Sequence, residues 1–416
     1  MHFLVIHYTK LKEGIYMKLT KNKDAKIIFI CWLAYTAAYI GRLNFSASIV
    51  NIVADLGVTK ADAGLVSSCF FFAYGAGQLI NGILSKYYNP KIMIFVSLTV
   101  SAVLNLLMPL CGDISVMKFI WLANGIAQSI LWSTLIKTLS DFVSEEKLPK
   151  AILAMSTTVA IGTFFAYGIS ALCVKFGNWG SVFYFAAAVL IISAIIWICL
   201  YGKDKPVKQI EKAKDAKVKT SGAVLLALIL AAIAGMANGF IKDGITTWGP
   251  TVLYEEFNLD KSFSIMLTLM LPLVSTLGAA IARKVHEKIA SHAAMNMIFF
   301  AVSAILCAGI LFSLKISSLA AIMVCFIGLA CAMAMINNVI TSMFALDNRA
   351  VLNAGFAAGL LNTFCYIGST VTSYSLGAVS QAKGWNAVFV IMLIVCTAAA
   401  VIGLAGLGAE RFAKKT

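Results

Sequence analysis

Residues 26–50 read KIIFICWLAYTAAYIGRLNFSASIV, an apolar run with one arginine, Arg42, deep inside it. Apolar runs of about 20 residues span a lipid bilayer as helices. Runs of this kind recur along the chain, which is 61% hydrophobic and only 12% charged. A soluble protein of this length keeps more of its surface polar, and membrane β-barrel strands are shorter and alternate in polarity. The sequence therefore predicts an all-helical (all-α) membrane protein.

We predict twelve transmembrane helices, because twelve apolar runs are separated by short polar breaks. The longest break holds seven lysines between residues 203 and 221. It divides the chain into an N-terminal segment (1–25), a first half of six helices (26–202), a linker (203–221) and a second half of six helices (222–416). The predicted spans are roughly residues 26–52, 63–85, 91–111, 115–140, 150–174, 180–202, 222–254, 262–282, 291–314, 317–345, 350–379 and 385–408.

The distribution of basic residues predicts the orientation of the helices. With the N-terminus in the cytoplasm, 24 Lys and Arg residues fall in cytoplasmic segments and five fall in external loops. The positive-inside rule then places both termini and the linker in the cytoplasm of a cell whose inner membrane holds the protein. This topology explains the net charge of +15 without a nucleic-acid partner. The basic stretch after Met17 suffices for the orientation, so we expect residues 1–16 to be dispensable.

The two halves resemble each other at a constant offset. Arg42 in the first predicted span corresponds to Lys242 in the seventh, and a basic turn follows both the second and the eighth span. Gly-Asn-Trp (177–179) opens the sixth span, and Lys-Gly-Trp (383–385) opens the twelfth. Parallel six-helix repeats are an architecture of transporters, whose binding site lies between the halves near the bilayer midplane.

Arg42 and Lys242 lie too deep in their spans to reach either membrane surface easily, and a charge inside the bilayer is costly. Asp243 follows Lys242, but adjacent side chains on a helix do not face each other, so neither cation has an evident acidic partner. One interpretation is that backbone carbonyls or a distant acid pair with each cation. The interpretation that we favour is that both cations face one cavity and bind an anion together. Lys118 and Lys137 lie near span ends, where a lysine can extend to the membrane surface.

Aromatic and polar side chains accompany the two cations. On the first span they fall three or four positions apart and therefore share one helical face with the arginine. Tyrosine hydroxyls and a guanidinium group suit an oxyanion, although ordinary packing is an alternative for each tyrosine alone. Asn337 and Asn338 either contribute to the site or bridge helices. The first span carries Trp32, Tyr35, Tyr39, Arg42 and Ser46 on this face, and the second span carries Tyr74 and Gln78.

The sequence lacks the motifs of membrane enzymes and ATP-driven pumps. It contains no HExxH, GxSxG or Walker A sequence. The ten cysteines form no CxxC pair, which argues against a zinc site or a disulfide framework. We therefore expect no enzymatic activity, no cofactor and no metal, and we expect the chain to act as a monomer in the lipid bilayer.

Several short sequences together resemble the organophosphate:phosphate antiporters of the major facilitator superfamily, a group that includes glycerol-phosphate and hexose-phosphate carriers. The resemblance extends in order along nearly the whole chain, which makes the combination more specific than any single part. Its parts are YIGRLNF (39–45), AYG (73–75), NPK (89–91), Asn124-Gly125 with Gln128 and Trp132, Gly244-Ile245 with Trp248 and Pro250, AGFAAG (354–359) and YIG (366–368).

The resemblance implies the major facilitator fold, in which two pseudo-symmetric six-helix halves enclose the substrate. It places the family's two phosphate-binding arginines at Arg42 and Lys242, and its cavity aromatics at four tyrosines. Gln78 replaces a lysine of the glycerol-phosphate carrier, and Leu43 replaces a basic residue that often follows the first arginine, so the site is less cationic than in the best-known members. The candidate substrate-binding residues are Arg42, Lys242, Tyr35, Tyr39, Tyr74, Gln78, Trp132 and Tyr366.

Three functions remain open at this point. The favoured hypothesis is a secondary active transporter of a small organic anion, namely a phosphorylated metabolite, with inorganic phosphate as the candidate exchange partner. The second is a cation-coupled symporter of a carboxylate or another organic anion. The third is a membrane sensor that binds a sugar phosphate without transporting it. Flux distinguishes the sensor from a carrier, and competition by inorganic phosphate distinguishes the two carriers.

Overall fold

The computed structural model describes residues 23–202, 222–348 and 354–413, and all the elements in these ranges are helices. Residues 1–16, Met17 and the predicted linker lie outside the described residues. Short 3₁₀ turns cover Ser85–Tyr87 and Met108–Leu110, and a π turn covers Val339–Met343. The helices are α1 (Lys23–Leu56), α2 (Lys60–Leu84), α3 (Pro90–Leu107), α4 (Ile114–Ser129), α5 (Leu131–Phe142), α6 (Leu148–Phe176), α7 (Trp179–Leu200), α8 (Gly222–Phe257), α9 (Lys261–Leu267), α10 (Met270–His286), α11 (His292–Lys315), α12 (Leu319–Asn338), α13 (Phe344–Asp347) and α14 (Ala354–Ala413).

Eleven of the described helical stretches are long and apolar enough to cross a membrane. The last of them, Ala357–Gly408, has 52 residues, which at 1.5 Å per residue is about 78 Å, more than twice the ~30 Å thickness of a bilayer core. The chain bends within it at Gly384, whose φ of 75° and ψ of 175° are not helical. Its two arms bring the number of crossings to twelve, in agreement with the prediction. Trp385 begins the twelfth crossing as predicted.

Polar residues begin many of the helices, because a side-chain oxygen at the N-cap accepts a hydrogen bond from an otherwise unpaired backbone N–H. The Thr59 hydroxyl caps α2 by accepting from the backbone N–H of Asp62 at 3.0 Å. Asn89 caps α3, and Pro90, which has no N–H to leave unpaired, occupies its first turn. These caps stand at the ends of apolar runs, which is why the sequence locates the boundaries to within a few residues.

A buried polar network holds α1 against α3 and α4. The side-chain amides of Asn105 and Asn124 donate to the carbonyl oxygen of Gly41 at 3.1 and 3.0 Å. Asn44 donates to Asn105 Oδ1 at 2.7 Å. A Cβ atom on residue 41 would lie 2.6 Å from Leu190 Cδ1, so the close approach of α7 favours glycine there. Because the next residue along α1 is the intramembrane arginine, this network fixes the depth of its side chain.

The two halves meet at the end of the bundle that holds the turn between α1 and α2. We call this the upper end, and the sequence predicts that it faces outside the cell. Lys60 Nζ lies 2.7 Å from Glu255 Oε2, and the Trp385 indole donates to the same oxygen at 2.8 Å. On another flank the Tyr167 hydroxyl donates to the carbonyl oxygen of Thr246 at 2.5 Å. The contacts of Lys60 and Tyr167 join α2 and α6 of the first half to α8 of the second, and the indole of Trp385 joins α14 to the same carboxylate of α8.

Candidate functional site

Arg42 lies near the middle of α1 and is buried, with 5% of its surface exposed. Its Nε and Nη2 atoms have no hydrogen-bond partner among the described residues. The guanidinium carbon instead lies 4.1 Å from the ring centre of Tyr39, 4.6 Å from that of Tyr74 and 5.4 Å from that of Tyr35. Cation–π attraction to three rings stabilises the charge in part, but it leaves the Nε and Nη2 donors without an acceptor among the described residues.

The predicted aromatic residues come together around this arginine. The hydroxyls of Tyr35 and Tyr74 lie 3.2 Å apart, and the Trp132 ring packs at 4.9 Å on the ring of Tyr35. Tyr366, from α14 of the second half, contacts Tyr74 edge to face with ring centres 4.8 Å apart. A Cβ atom on Gly75 would lie 2.7 Å from the Cβ of Tyr366, so the glycine lets α2 and α14 approach. The cluster therefore spans both halves of the bundle.

Gln78 extends the cluster by one turn of α2 in the direction away from the upper end. Its side-chain nitrogen donates to the Tyr74 hydroxyl at 2.9 Å, and its side-chain oxygen accepts from Asn362 at 2.6 Å. Asn362 belongs to α14, so this pair is a further contact between the halves. Asn362 was not predicted as a site residue, although it lies one turn before Tyr366 on the same helix.

The prediction that Lys242 has no acidic partner is wrong. Its ammonium lies 3.5 Å from Asp243 Oδ1. Neighbouring positions on a helix do point apart, but the four-carbon stem of lysine is long and flexible enough to fold back along the helix. Asp243 is buried, and its other carboxylate oxygen accepts a hydrogen bond from the Ser369 hydroxyl of α14. Asp243 and Ser369 are therefore residues of the site that were not predicted from the sequence, although a carboxylate inside an apolar run was a visible signal.

Lys242 remains accessible despite this partner. Its side chain is 37% exposed although it lies near the middle of α8, whereas the side chain of Asp243 is 12% exposed. Lys242 and Arg42 both lie within electrostatic range of the Tyr39 hydroxyl. Both cations are therefore close to one tyrosine, and part of the lysine side chain is accessible to a ligand. Chemically, the site offers a guanidinium with two donors that no described residue uses, an ammonium and several hydroxyls.

The other polar residues that the sequence singled out make contacts that hold helices together. The Trp32 indole donates to Thr157 at 3.0 Å, and Asn337 accepts from Asn238 at 3.3 Å. Lys118 pairs with Asp62 at 3.1 Å near the upper end. The Lys137 ammonium donates to the carbonyl oxygen of Ser85 at 3.1 Å, and Ser46 is buried within α1.

The profile of the Major Facilitator Superfamily matches residues 31–373 of the chain. The membrane sensor protein UhpC of Escherichia coli (strain K12) is 20% identical, with 92% of each chain covered. The glycerol-3-phosphate transporter of Bacillus subtilis (strain 168) is 23% identical, with 95% of each chain covered. A probable hexose phosphate transport protein of Chlamydia pneumoniae is 21% identical, covering 94% of this chain and 92% of the relative. None of these is named as an enzyme, in agreement with the prediction.

Solved structures agree on the fold. An inward-facing, unoccupied bacterial homologue of the human lysosomal transporter Spinster superimposes with a TM-score of 0.78 at 14% identity, over 95% of this chain and 98% of that one. The D-xylose-proton symporter superimposes with a TM-score of 0.73 at 12% identity, over 92% and 97%. At these identities the likeness concerns the arrangement of helices.

Proposed function

Because the chain belongs to the Major Facilitator Superfamily, we propose that it is a secondary active transporter of a small phosphorylated metabolite, which it exchanges for inorganic phosphate by alternating access. The observation that carries this proposal is the buried guanidinium of Arg42, whose Nε and Nη2 atoms have no hydrogen-bond partner among the described residues. Leaving charged donors buried without an acceptor is costly, so such a group marks a site whose partner arrives from outside the chain. A phosphate oxyanion fits a guanidinium fork because it can accept two parallel hydrogen bonds.

The location of the cations in both halves favours transport. Arg42 belongs to α1 and Lys242 to α8, so an anion held by both draws the two six-helix halves together. Without an anion, the carrier must close over an unpaired cation, which burial disfavours. Anion binding in each direction removes this cost and therefore favours exchange over the return of an empty carrier. The relatives named as glycerol-phosphate and hexose-phosphate transporters support a phosphate ester as the substrate.

Thermal stability of the purified protein tests the substrate class. A ligand that binds only the folded state raises the free energy of unfolding by mass action, by about 2.7 kcal/mol at a hundred times its Kd, and thereby raises the midpoint temperature. With each ligand added separately, we expect inorganic phosphate and at least one of glycerol 3-phosphate and glucose 6-phosphate to stabilise the protein. Glycerol and glucose should have no effect. Stabilisation by dicarboxylates without any effect of phosphates would instead support the carboxylate symporter.

The sensor hypothesis has one specific observation in its favour, because the relative named as a membrane sensor covers 92% of the chain. A sensor and a carrier can share the same binding residues, so binding does not distinguish them. Flux does. Substrate that binds the purified protein but fails to exchange across proteoliposome membranes would favour the sensor.

We propose that both termini and the linker face the cytoplasm. A cysteine introduced at Lys212, in the linker, is expected to escape a membrane-impermeant maleimide in intact cells, and a cysteine at the exposed Lys383 between the last two spans is the matched external control. The parent protein, with its native cysteines, gives the background. Labelling at position 212 equal to that at position 383 would contradict this topology.

We propose further that the contact of Lys60, Glu255 and Trp385 is an upper gate that opens during transport. Glu255→Ala removes the acceptor shared by the ammonium and the indole. Because both charged side chains are partly exposed, the ion pair is worth little, and we expect the equilibrium between closed and open upper ends to shift by about 1 kcal/mol towards the open state. This corresponds to a roughly fivefold change in the equilibrium constant. A maleimide should then label a cysteine placed at the buried Ser68, below the gate, several times faster in purified protein.

The matched control for the gate is Glu256→Ala, which removes a neighbouring carboxylate outside the described contacts of the indole. It should leave the labelling rate unchanged. Equal labelling rates in Glu255→Ala and the parent would show that the ion pair does not hold the upper end closed.

A further inference from the structure

We propose that Asp243 couples substrate binding to proton uptake, so that a dianionic phosphate ester is carried together with one proton. This inference rests on the transport function proposed above and extends it. It concerns a carboxylate that has no place in phosphate recognition by itself, since it would repel the substrate.

The geometry around Asp243 suits a partner that can be exchanged. Its Oδ1 lies 3.5 Å from the Lys242 ammonium, which is longer than the ~2.8 Å of a strong charge-assisted hydrogen bond. Its other oxygen accepts a hydrogen bond from Ser369. The lysine side chain is 37% exposed, whereas that of the carboxylate is 12% exposed. A substrate oxyanion can therefore reach the ammonium from the open side and replace the carboxylate, which stays buried.

The formal charges show what this replacement requires. In the described part of the site, Arg42 and Lys242 are positive and Asp243 is negative, so the empty site has a net charge of +1. A phosphate dianion held by both cations would leave a net charge of −1, localised on a buried carboxylate that has lost its cation. Buried carboxylates in that situation bind a proton rather than remain ionised. With the proton the occupied site is neutral.

Among the described residues, the groups of packed elements that lie within electrostatic range of the carboxylate supply no further cation. They are the hydroxyl of Tyr167 from α6, and the thiol of Cys365 and the hydroxyls of Tyr366 and Ser369 from α14. All are neutral groups near neutral pH. The Ser369 hydroxyl can donate to an ionised carboxylate and accept from a protonated one, so it satisfies Asp243 in both states.

The proposed step involves no covalent bond. A substrate oxygen replaces Asp243 Oδ1 at the Lys242 ammonium, and a proton from the open aqueous compartment binds the released carboxylate. On the other side of the membrane the substrate leaves, the proton dissociates and the ion pair forms again. A monoanion needs no proton, because it neutralises the empty site directly.

Binding of glucose 6-phosphate to the purified full-length protein tests the proposal between about pH 7.0 and 8.5, where a phosphate monoester remains a dianion. We expect the Kd of the parent protein to increase with pH by up to about tenfold per unit, the limit for one linked proton. In weakly buffered solution, binding should also take up protons, as measured with a pH-sensitive dye. Asp243→Asn should bind the dianion with no dependence on pH and no proton uptake, and the conservative Asp243→Glu should retain both.

A parent protein that binds glucose 6-phosphate with a flat pH profile and no proton uptake would overturn the proposal, even if the Asn variant failed to fold. A pH slope that persists in Asp243→Asn would overturn it as well, because another group would then bind the proton. Absence of binding of any phosphate ester by the parent would contradict the proposed function, and is thereby distinguishable from failure of the coupling.

Discussion

Arg42→Ala is expected to weaken phosphate binding by about 2–5 kcal/mol, the range for removing one partner of a buried charged pair. This corresponds to a loss of affinity of roughly thirtyfold to several thousandfold. The reason is that the Nε and Nη2 donors of the guanidinium have no acceptor within the described residues. The tyrosine hydroxyls that remain are neutral, and hydrogen bonds from neutral donors to an oxyanion are weaker than those from a cation.

The same substitution should have little effect on folding. It removes cation–π contacts with three tyrosines, each worth about 0.5–2 kcal/mol, but it also removes the cost of burying an unpaired cation. These effects oppose each other. We expect the unfolding midpoint without ligand to change by a few degrees at most, while the increase caused by phosphate disappears.

Two variants define the chemistry of this effect. Arg42→Lys keeps the charge but loses the two-pronged donor geometry, so its affinity should fall between those of the parent and Arg42→Ala. Lys118→Gln removes another cation within a predicted span, one paired with Asp62 away from the site, and should bind phosphate normally. Parent-like binding by Arg42→Ala would show that the arginine is not part of an anion site. Misfolding of this variant would instead indicate that the arginine holds the bundle together.

Lys242→Ala is expected to reduce both substrate binding and stability. It leaves the buried carboxylate of Asp243 with a serine hydroxyl as its remaining described hydrogen-bond partner. Because a third of the lysine side chain is exposed, we expect a destabilisation of about 1–3 kcal/mol, the cost of a buried polar group that has lost a partner. Separately from this effect on folding, the free energy of phosphate binding should weaken by about 2 kcal/mol, since the second cation is lost.

The double variant Lys242→Ala/Asp243→Asn separates the two effects. It removes the whole ion pair, so the unfolding midpoint should return towards that of the parent while phosphate binding remains weak. Lys242→Arg should retain stability and keep or strengthen binding. Thermal unfolding with and without phosphate measures both quantities. Equal stability of Lys242→Ala and the double variant would show that the lysine and the carboxylate do not interact.

The fold could be predicted from the sequence because its determinants are local. Apolar runs of the length of a bilayer, capped by residues such as Thr59 and Asn89, give the helices and their boundaries. The face that carries Tyr35, Tyr39 and Arg42 follows from helical spacing alone, and the structure places these side chains together. Their role in binding an anion stays a prediction.

Other parts of the site depend on contacts that local patterns do not contain. Gln78 and Asn362 are 284 positions apart in sequence, and Lys60 and Glu255 are 195 apart. Such pairs appear only when the two halves are packed together. The pairing of Lys242 with Asp243 was missed for a different reason: the helical periodicity rule describes where side chains begin, and a lysine stem reaches well beyond that position.

Exchange of radiolabelled inorganic phosphate across proteoliposome membranes tests the central claim most directly, because it requires no knowledge of the metabolite. Purified parent protein is reconstituted into vesicles with or without internal phosphate, beside vesicles that contain Arg42→Ala. We predict rapid uptake of label by the parent when phosphate is present inside, uptake near background when it is absent, and background uptake by the variant in both cases. Uptake by the parent that does not depend on internal phosphate, or parent-like uptake by Arg42→Ala, would contradict exchange at this site.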